Sequence, residues 1–157
     1  MRRALLLLAL VAACAPAVRH RRPIDRSIRA IDFTNRPYYV RDVGDVNVSR
    51  GRGTIGATTL VLDPPEIADL DHDRSEDALV TGTLTRPGAD PAKTITIYGV
   101  RGGSLRVLGT IDGRYIEKVW LQGRSILTQW TGDGRIFAYG WEDGRLQQRL
   151  DEDDEEP

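Results

Sequence analysis

Cysteine, histidine and lysine are nearly missing from this chain, and each scarcity excludes something. There is one cysteine, Cys14, so no internal disulfide can brace the fold, which must stand on its own core. The two histidines are His20, in an arginine-rich stretch, and His72, in an acidic one. Neither falls where a Ser-His-Asp or Cys-His arrangement could be assembled from residues ordered together. The only lysines are Lys93 and Lys118, and no glycine loop carries a P-loop lysine. No GxGxxG motif enters a helix, and paired carboxylates of the glycosidase kind are unmarked among the many turn aspartates. An enzyme is therefore not expected. Long apolar runs are missing as well. The longest, Ala4 to Ala13, is ten residues, roughly 15 Å as a helix and about half a bilayer core, too short for a transmembrane anchor.

What that run does suggest is export. Arg2 and Arg3 form a charged n-region and Ala4 to Ala13 an apolar h-region, so residues 1–13 read as a signal peptide. Cys14 follows Leu10-Val11-Ala12-Ala13, a stretch that resembles the lipobox of bacterial lipoproteins, in which the cysteine is lipidated. Ordinary cleavage near Ala15-Pro16-Ala17 is the alternative. The expected location is outside the cytoplasm, lipid-anchored to the cell envelope, on the outer membrane or the outer leaflet of the plasma membrane. Residues 14–30 carry Arg19, Arg21, Arg22, Arg26 and Arg29 and read as a disordered basic tether. Beside the lipid, it would be drawn to anionic head groups by about 1 kcal/mol per residue. Residues 150–157 read as a disordered acidic tail. With a net charge of −1, a membrane surface and an envelope ligand or protein are the expected partners, and nucleic acid is not.

Between these ends, residues 31–149 read as a single all-β domain. Residues 31–57 look irregular, and a short helix over 25–31 is only weakly patterned. From Thr58-Thr59-Leu60-Val61-Leu62 onward the chain is rich in β-formers, with a stop at Pro64-Pro65. Ala78 to Thr85, Thr94 to Tyr98 and Leu105 to Ile111 follow as strands, the second alternating polar and apolar as a half-buried strand does. Then Gly-Arg recurs at 113–114, 123–124, 134–135 and 144–145, each pair at a turn and each opening a run rich in aromatic and β-branched residues. Turns such as Asp133-Gly134 and Asp143-Gly144 are strong hairpin signals. The pattern predicts an antiparallel meander: a blade-like sheet, a small sandwich or a partial barrel.

Two candidate sites stand out. In ADLDHDRSEDALV, residues 68–80, Asp69, Asp71 and Asp73 alternate, and Asp77 starts the next strand. Calcium takes six to eight oxygen ligands, and alternating aspartates can bend inward around it. Asp69, Asp71, Asp73 and Asp77 are thus candidate calcium ligands, with an affinity of about 10⁻⁴ to 10⁻³ M expected. Arg74 and His72 occupy positions where such loops usually carry glycine, and the other reading is a solvated acidic turn. The second candidate is the tryptophan rhythm. Trp120 and Trp141 fall at one end of the meander and Trp130 at the other, so Trp120 and Trp141 offer a small platform for a glycan or peptide. Sheet-end rings that merely cap the core fit the same spacing.

Ile31-Asp32-Phe33 with Asn35, Pro37-Tyr38, the acidic segment running into Asp77-Ala78-Leu79-Val80, Ile97-Tyr98 and Leu108-Gly109-Thr110-Ile111 together resemble secreted bacterial lipoproteins of the LppP/LprE type. The acidic segment alone is similar to the FG-GAP or VCBS repeat motif. The resemblance covers residues 31 to about 148. It implies an all-β domain anchored outside the cytoplasmic membrane, with no established activity, and a metal site at Asp69, Asp71, Asp73 and Asp77. The expected function is binding or structural support at the cell envelope, steadied by calcium. The rivals are a glycan or peptide module at Trp120 and Trp141, and a hydrolase of envelope polymers.

Overall fold

The structure, a computed structural model, describes residues 27–149. The expected signal peptide, Cys14, most of the basic tether and the acidic tail lie outside the described residues. The expected helix over 25–31 is a single 3-10 turn, Ile28–Ala30, capped by the Ser27 hydroxyl, which accepts from the Arg29 amide. Ile28 is buried in the core, so the packed domain reaches into the stretch read as tether.

Residues 31–57 are not irregular. They form β1 (Pro37–Val40), β2 (Gly44–Ser49) and β3 (Arg52–Ile55). Tyr38 and Val40, then Val46 and Val48, alternate inward with exposed neighbours outward, the period of a one-sided strand. The turns between them pair Asp42 with Gly44 and Arg50 with Gly51, all four at positive φ.

β4 (Thr58–Leu62), β5 (Glu66–Ala68), β6 (Asp77–Arg86), β7 (Ala89–Arg101) and β8 (Ser104–Gly113) complete the first sheet, in the order β1-β2-β3-β4-β6-β7-β8. β4 and β5 share one edge of β6 end to end: Leu60 pairs with Leu84, and Ile67 with Ala78. Pro64-Pro65, which cannot donate to a ladder, falls in the break between them. Every pairing is antiparallel. A bulge at Ile97/Tyr98 leaves Leu108 as an extra residue on β8.

The second sheet is β9 (Ile116–Gln122), β10 (Ser125–Trp130), β11 (Ile136–Glu142) and β12 (Arg145–Arg149), in the order β12-β11-β10-β9. Three of the four Gly-Arg turns join neighbours here. The first, at Gly113-Arg114, does not, because β8 and β9 belong to different sheets. The chain forms the all-β antiparallel architecture expected from the sequence, as a curled sheet with a second sheet packed on it.

Two cores result. The first lies inside the curl and gathers Ile28, Phe33, Tyr38, Val46, Val80 and Tyr98. The second lies between the sheets and gathers Leu79, Ile95, Ile97, Ile111, Ile126 and Trp141. β6 and β7 wall both. Ala78, Val80 and Leu84 of β6 face the first core and Leu79 the second, which is why β6 is buried without a break from Asp77 to Gly82. Among the described residues, no helix is long and apolar enough to cross a membrane.

Candidate functional site

The acidic segment is the connection from β5 into β6. Leu70 is fully buried and pins it to the second core. Beyond it the chain winds through two left-handed residues, His72 at φ 65° and Arg74 at φ 71°. These are the positions where glycine is usual, and the backbone makes the sharp bends without it. Asp71 accepts from the Asp73 amide (3.3 Å) and Asp73 from the Ser75 amide (2.8 Å), so each aspartate braces the next turn. Asp77 opens β6 with its side chain fully buried; its Oδ2 accepts from the amides of Leu70 (3.1 Å) and Asp71 (3.4 Å).

Of the four expected ligands, the fold brings three together. Asp69, Asp71 and Asp77 each offer a carboxylate oxygen, and these oxygens lie within 4.8 Å of one another. Asp73 stands further out, half-exposed, and joins the group only through a shared arginine.

That arginine was not legible in the acidic stretch itself. Arg101 ends β7 and reaches Asp71, Asp73 (3.2 Å) and Asp77 (3.2 Å) through one guanidinium nitrogen. The β6–β7 register puts Gly99 opposite Asp77, and a Cβ on Gly99 would stand 2.7 Å from both the Arg101 guanidinium and the Asp77 carboxylate. Glycine there is what admits the pair. A second cation, Arg124 of the β9–β10 turn, pairs with Asp69 (3.2 Å) and donates to His72 Nδ1 (2.8 Å). Arg74, the base expected beside the site, has no ion-pair partner among the described residues. The available signal was the hairpin register, which carries Arg101 back alongside Asp77.

Four carboxylates thus meet two guanidinium groups, Arg101 and Arg124, leaving an excess of two negative charges. The strain shows at two atoms. Burial, and then the Asp71 charge, push the Asp77 carboxyl above its ordinary range. Asp69 Oδ1 is buried without a hydrogen-bond partner. Such an atom ordinarily costs about 1–3 kcal/mol.

The tryptophans do not form a platform. Register aligns Trp120 with Leu127 and Leu127 with Ala138, three residues before Trp141 on β11. Opposed residues share a face and successive ones alternate, so Trp120 and Trp141 point to opposite faces. Trp141 is buried in the second core. Trp130 packs against Phe137 (5.0 Å) and Tyr115 (6.1 Å). Cys14, the expected lipidation site, lies outside the described residues.

No family model matches this chain, and neither a curated protein nor a solved structure matches it.

Proposed function

We propose that this chain is an exported cell-envelope lipoprotein whose β domain is a non-catalytic binding or structural module holding calcium at Asp69, Asp71 and Asp77. The envelope part rests on Arg2-Arg3, the Ala4 to Ala13 run and Cys14, and on the resemblance to LppP/LprE-type lipoproteins. One observation carries the calcium part: three carboxylates converge within 4.8 Å around a fully buried aspartate. The donor set is all oxygen and anionic, which suits a hard divalent cation. With Asp73 counted, the formal excess of two negative charges in the cluster equals one such ion, and Asp69 Oδ1 is an oxygen without another partner. Asp77 Oδ2 is engaged by two amides, so this residue would offer Oδ1, the oxygen that Arg101 now contacts. Calcium and the Arg101 guanidinium therefore compete for one place.

That competition supports a second reading, in which Arg101 is the permanent counter-cation and the loop is an arginine-locked turn. A thermal melt in EDTA and then in 1 mM calcium separates the two. A site with a Kd of about 100 μM adds about 1.4 kcal/mol at that concentration. The midpoint then rises by roughly 3–10 °C for a domain of this size. The rise is expected to vanish in Asp71→Ala. An unchanged wild-type midpoint would establish the arginine lock instead.

A further inference from the structure

Away from the acidic loop, the curled sheet opens into a cleft of about 900 Å³. One bank is β1 with the turn after it; the other is the start of β7 and the end of β8. Along the face that carries the first core, β7 and β8 change character as they approach this opening. Tyr98 gives way to Thr96 and Thr94 on β7. Register sets Thr96 opposite Thr110 and Thr94 opposite Asp112, so two polar rungs lie side by side on one face. Val40 and Leu84, both buried, form the apolar wall beside them.

The margins are aromatic. Tyr39 and Tyr115 line the cleft at 77% and 65% exposure, higher than any other large apolar side chain among the described residues. The charges nearly cancel. Arg41, Arg86, Lys93 and Arg114 face Asp42, Asp90 and Asp112 in the lining, and Asp63, outside it, lies 3.6 Å from Lys93. Arg41 (3.6 Å) and Arg114 (2.6 Å) both reach Asp112.

We propose that this cleft is a binding site for a neutral oligosaccharide. A pyranose ring lays its C–H face on an aromatic ring and offers its hydroxyls as both donors and acceptors. The two tyrosines supply the faces; the threonine hydroxyls, Asp112 and its two arginines supply the partners. A charged ligand would call for a cleft biased to the opposite sign, and the near balance here leaves little such bias. The volume falls in the range of about 300–1,000 Å³ usual for small-ligand sites. None of Asp69, Asp71 or Asp77 lines it, so this site is separate from the cation loop and does not depend on it.

The test is a ¹H–¹⁵N correlation titration of the purified full chain with cellohexaose, chitohexaose and mannohexaose, each to about 5 mM. A hexamer of galacturonic acid is the charged control. One neutral oligosaccharide is expected to saturate and to shift the amides of Tyr39, Thr94 and Thr110. Tyr39→Ala and Tyr115→Ala should each weaken it about tenfold or more, Tyr39→Ala without moving the melting midpoint and Tyr115→Ala with only the small loss of its Trp130 contact. Running the series in EDTA and in calcium keeps the answer independent of the acidic loop. The proposal is overturned if no neutral sugar shifts those amides, if the acidic control binds more tightly, or if both tyrosine variants bind as the wild type does.

Discussion

Arg101 is the residue on which the acidic loop turns. It sets its guanidinium against a fully buried carboxylate, and removing one partner of such a pair strands the other. Breaking a buried pair costs about 3–5 kcal/mol, but the Arg101 side chain is 29% exposed, so the loss should be nearer 2 kcal/mol. Arg101→Met in EDTA is expected to lower the urea midpoint accordingly. Calcium should restore more stability to this variant than it adds to the wild type, because the ion no longer displaces a guanidinium. Equal calcium responses in the two proteins would show that Arg101 and the ion do not share a place. Asp77 gives the matching pH dependence. Burial first, and then Asp71, raise its carboxyl in the folded state. A carboxyl raised on folding favours the folded state most fully below its unfolded value, and that advantage is lost as pH rises through the folded value. In EDTA, wild type should therefore lose stability relative to Asp77→Asn as pH rises from about 4 to 7. Paired urea melts at the two pH values check this; a constant difference would refute it. The four aspartates could be read directly from their spacing. Their counter-cations could not, because Arg101 and Arg124 reach the loop only through strand register and a turn of the other sheet.

Strands differ in how plainly they announce themselves. β4 and β6 to β12 carry alternation, β-branched residues and glycine turns, and their positions follow from sequence. β1 to β3 carry the same alternation in shorter runs, and their turns set Asp42 and Arg50 at positive φ beside Gly44 and Gly51. Strands of four to six residues leave little periodicity to read, and the segment looks irregular. The reverse error concerns Gly113. Its Asp-Gly pair has the form of a hairpin tip, yet Gly113 is the last rung of β8, opposite Lys93. A Cβ there would stand 2.1 Å from the Lys93 carbonyl oxygen. This glycine is set by close approach of two strands before the chain crosses to the second sheet. Gly113→Ala should then separate β7 from β8 at that end and cost about 2 kcal/mol or more, in the range of other overpacked sites. Gly123→Leu would not be a fair comparison, because Gly123 is at φ 63° and pays a backbone penalty instead. A chemical-denaturation series on Gly113→Ala decides the matter; an unchanged midpoint would mean that the strands part there at no cost.

At the scale of the whole molecule, the two cores are not two domains, because β6 and β7 are walls of both. Residues of the first core and the second alternate along the same strands: Ala78, Val80 and Tyr98 face one way, Leu79, Ile95 and Ile97 the other. Opening either core removes the packing that holds those strands flat for the other, so unfolding should be a single transition. The distribution of tryptophan makes this measurable. Trp120, Trp130 and Trp141 all lie in the second sheet, on β9, β10 and β11, so their fluorescence reports that sheet alone, while far-ultraviolet circular dichroism reports both. The two signals are expected to give coincident urea curves. They should stay coincident in Val80→Ala, which opens a cavity only in the first core, and in Leu79→Ala, which opens one only in the second. Each truncation should cost about 2–5 kcal/mol for leucine and somewhat less for valine. A Val80→Ala protein whose circular dichroism falls before its tryptophan signal would show that the curled sheet melts by itself. In that case the acidic loop, which bridges Asp77 at the start of β6 to Arg124 of the second sheet, would link two units that fold separately. Under the single transition expected here, that bridge ties together strands already bound by shared walls, and stability gained from calcium at the loop is felt equally by both signals.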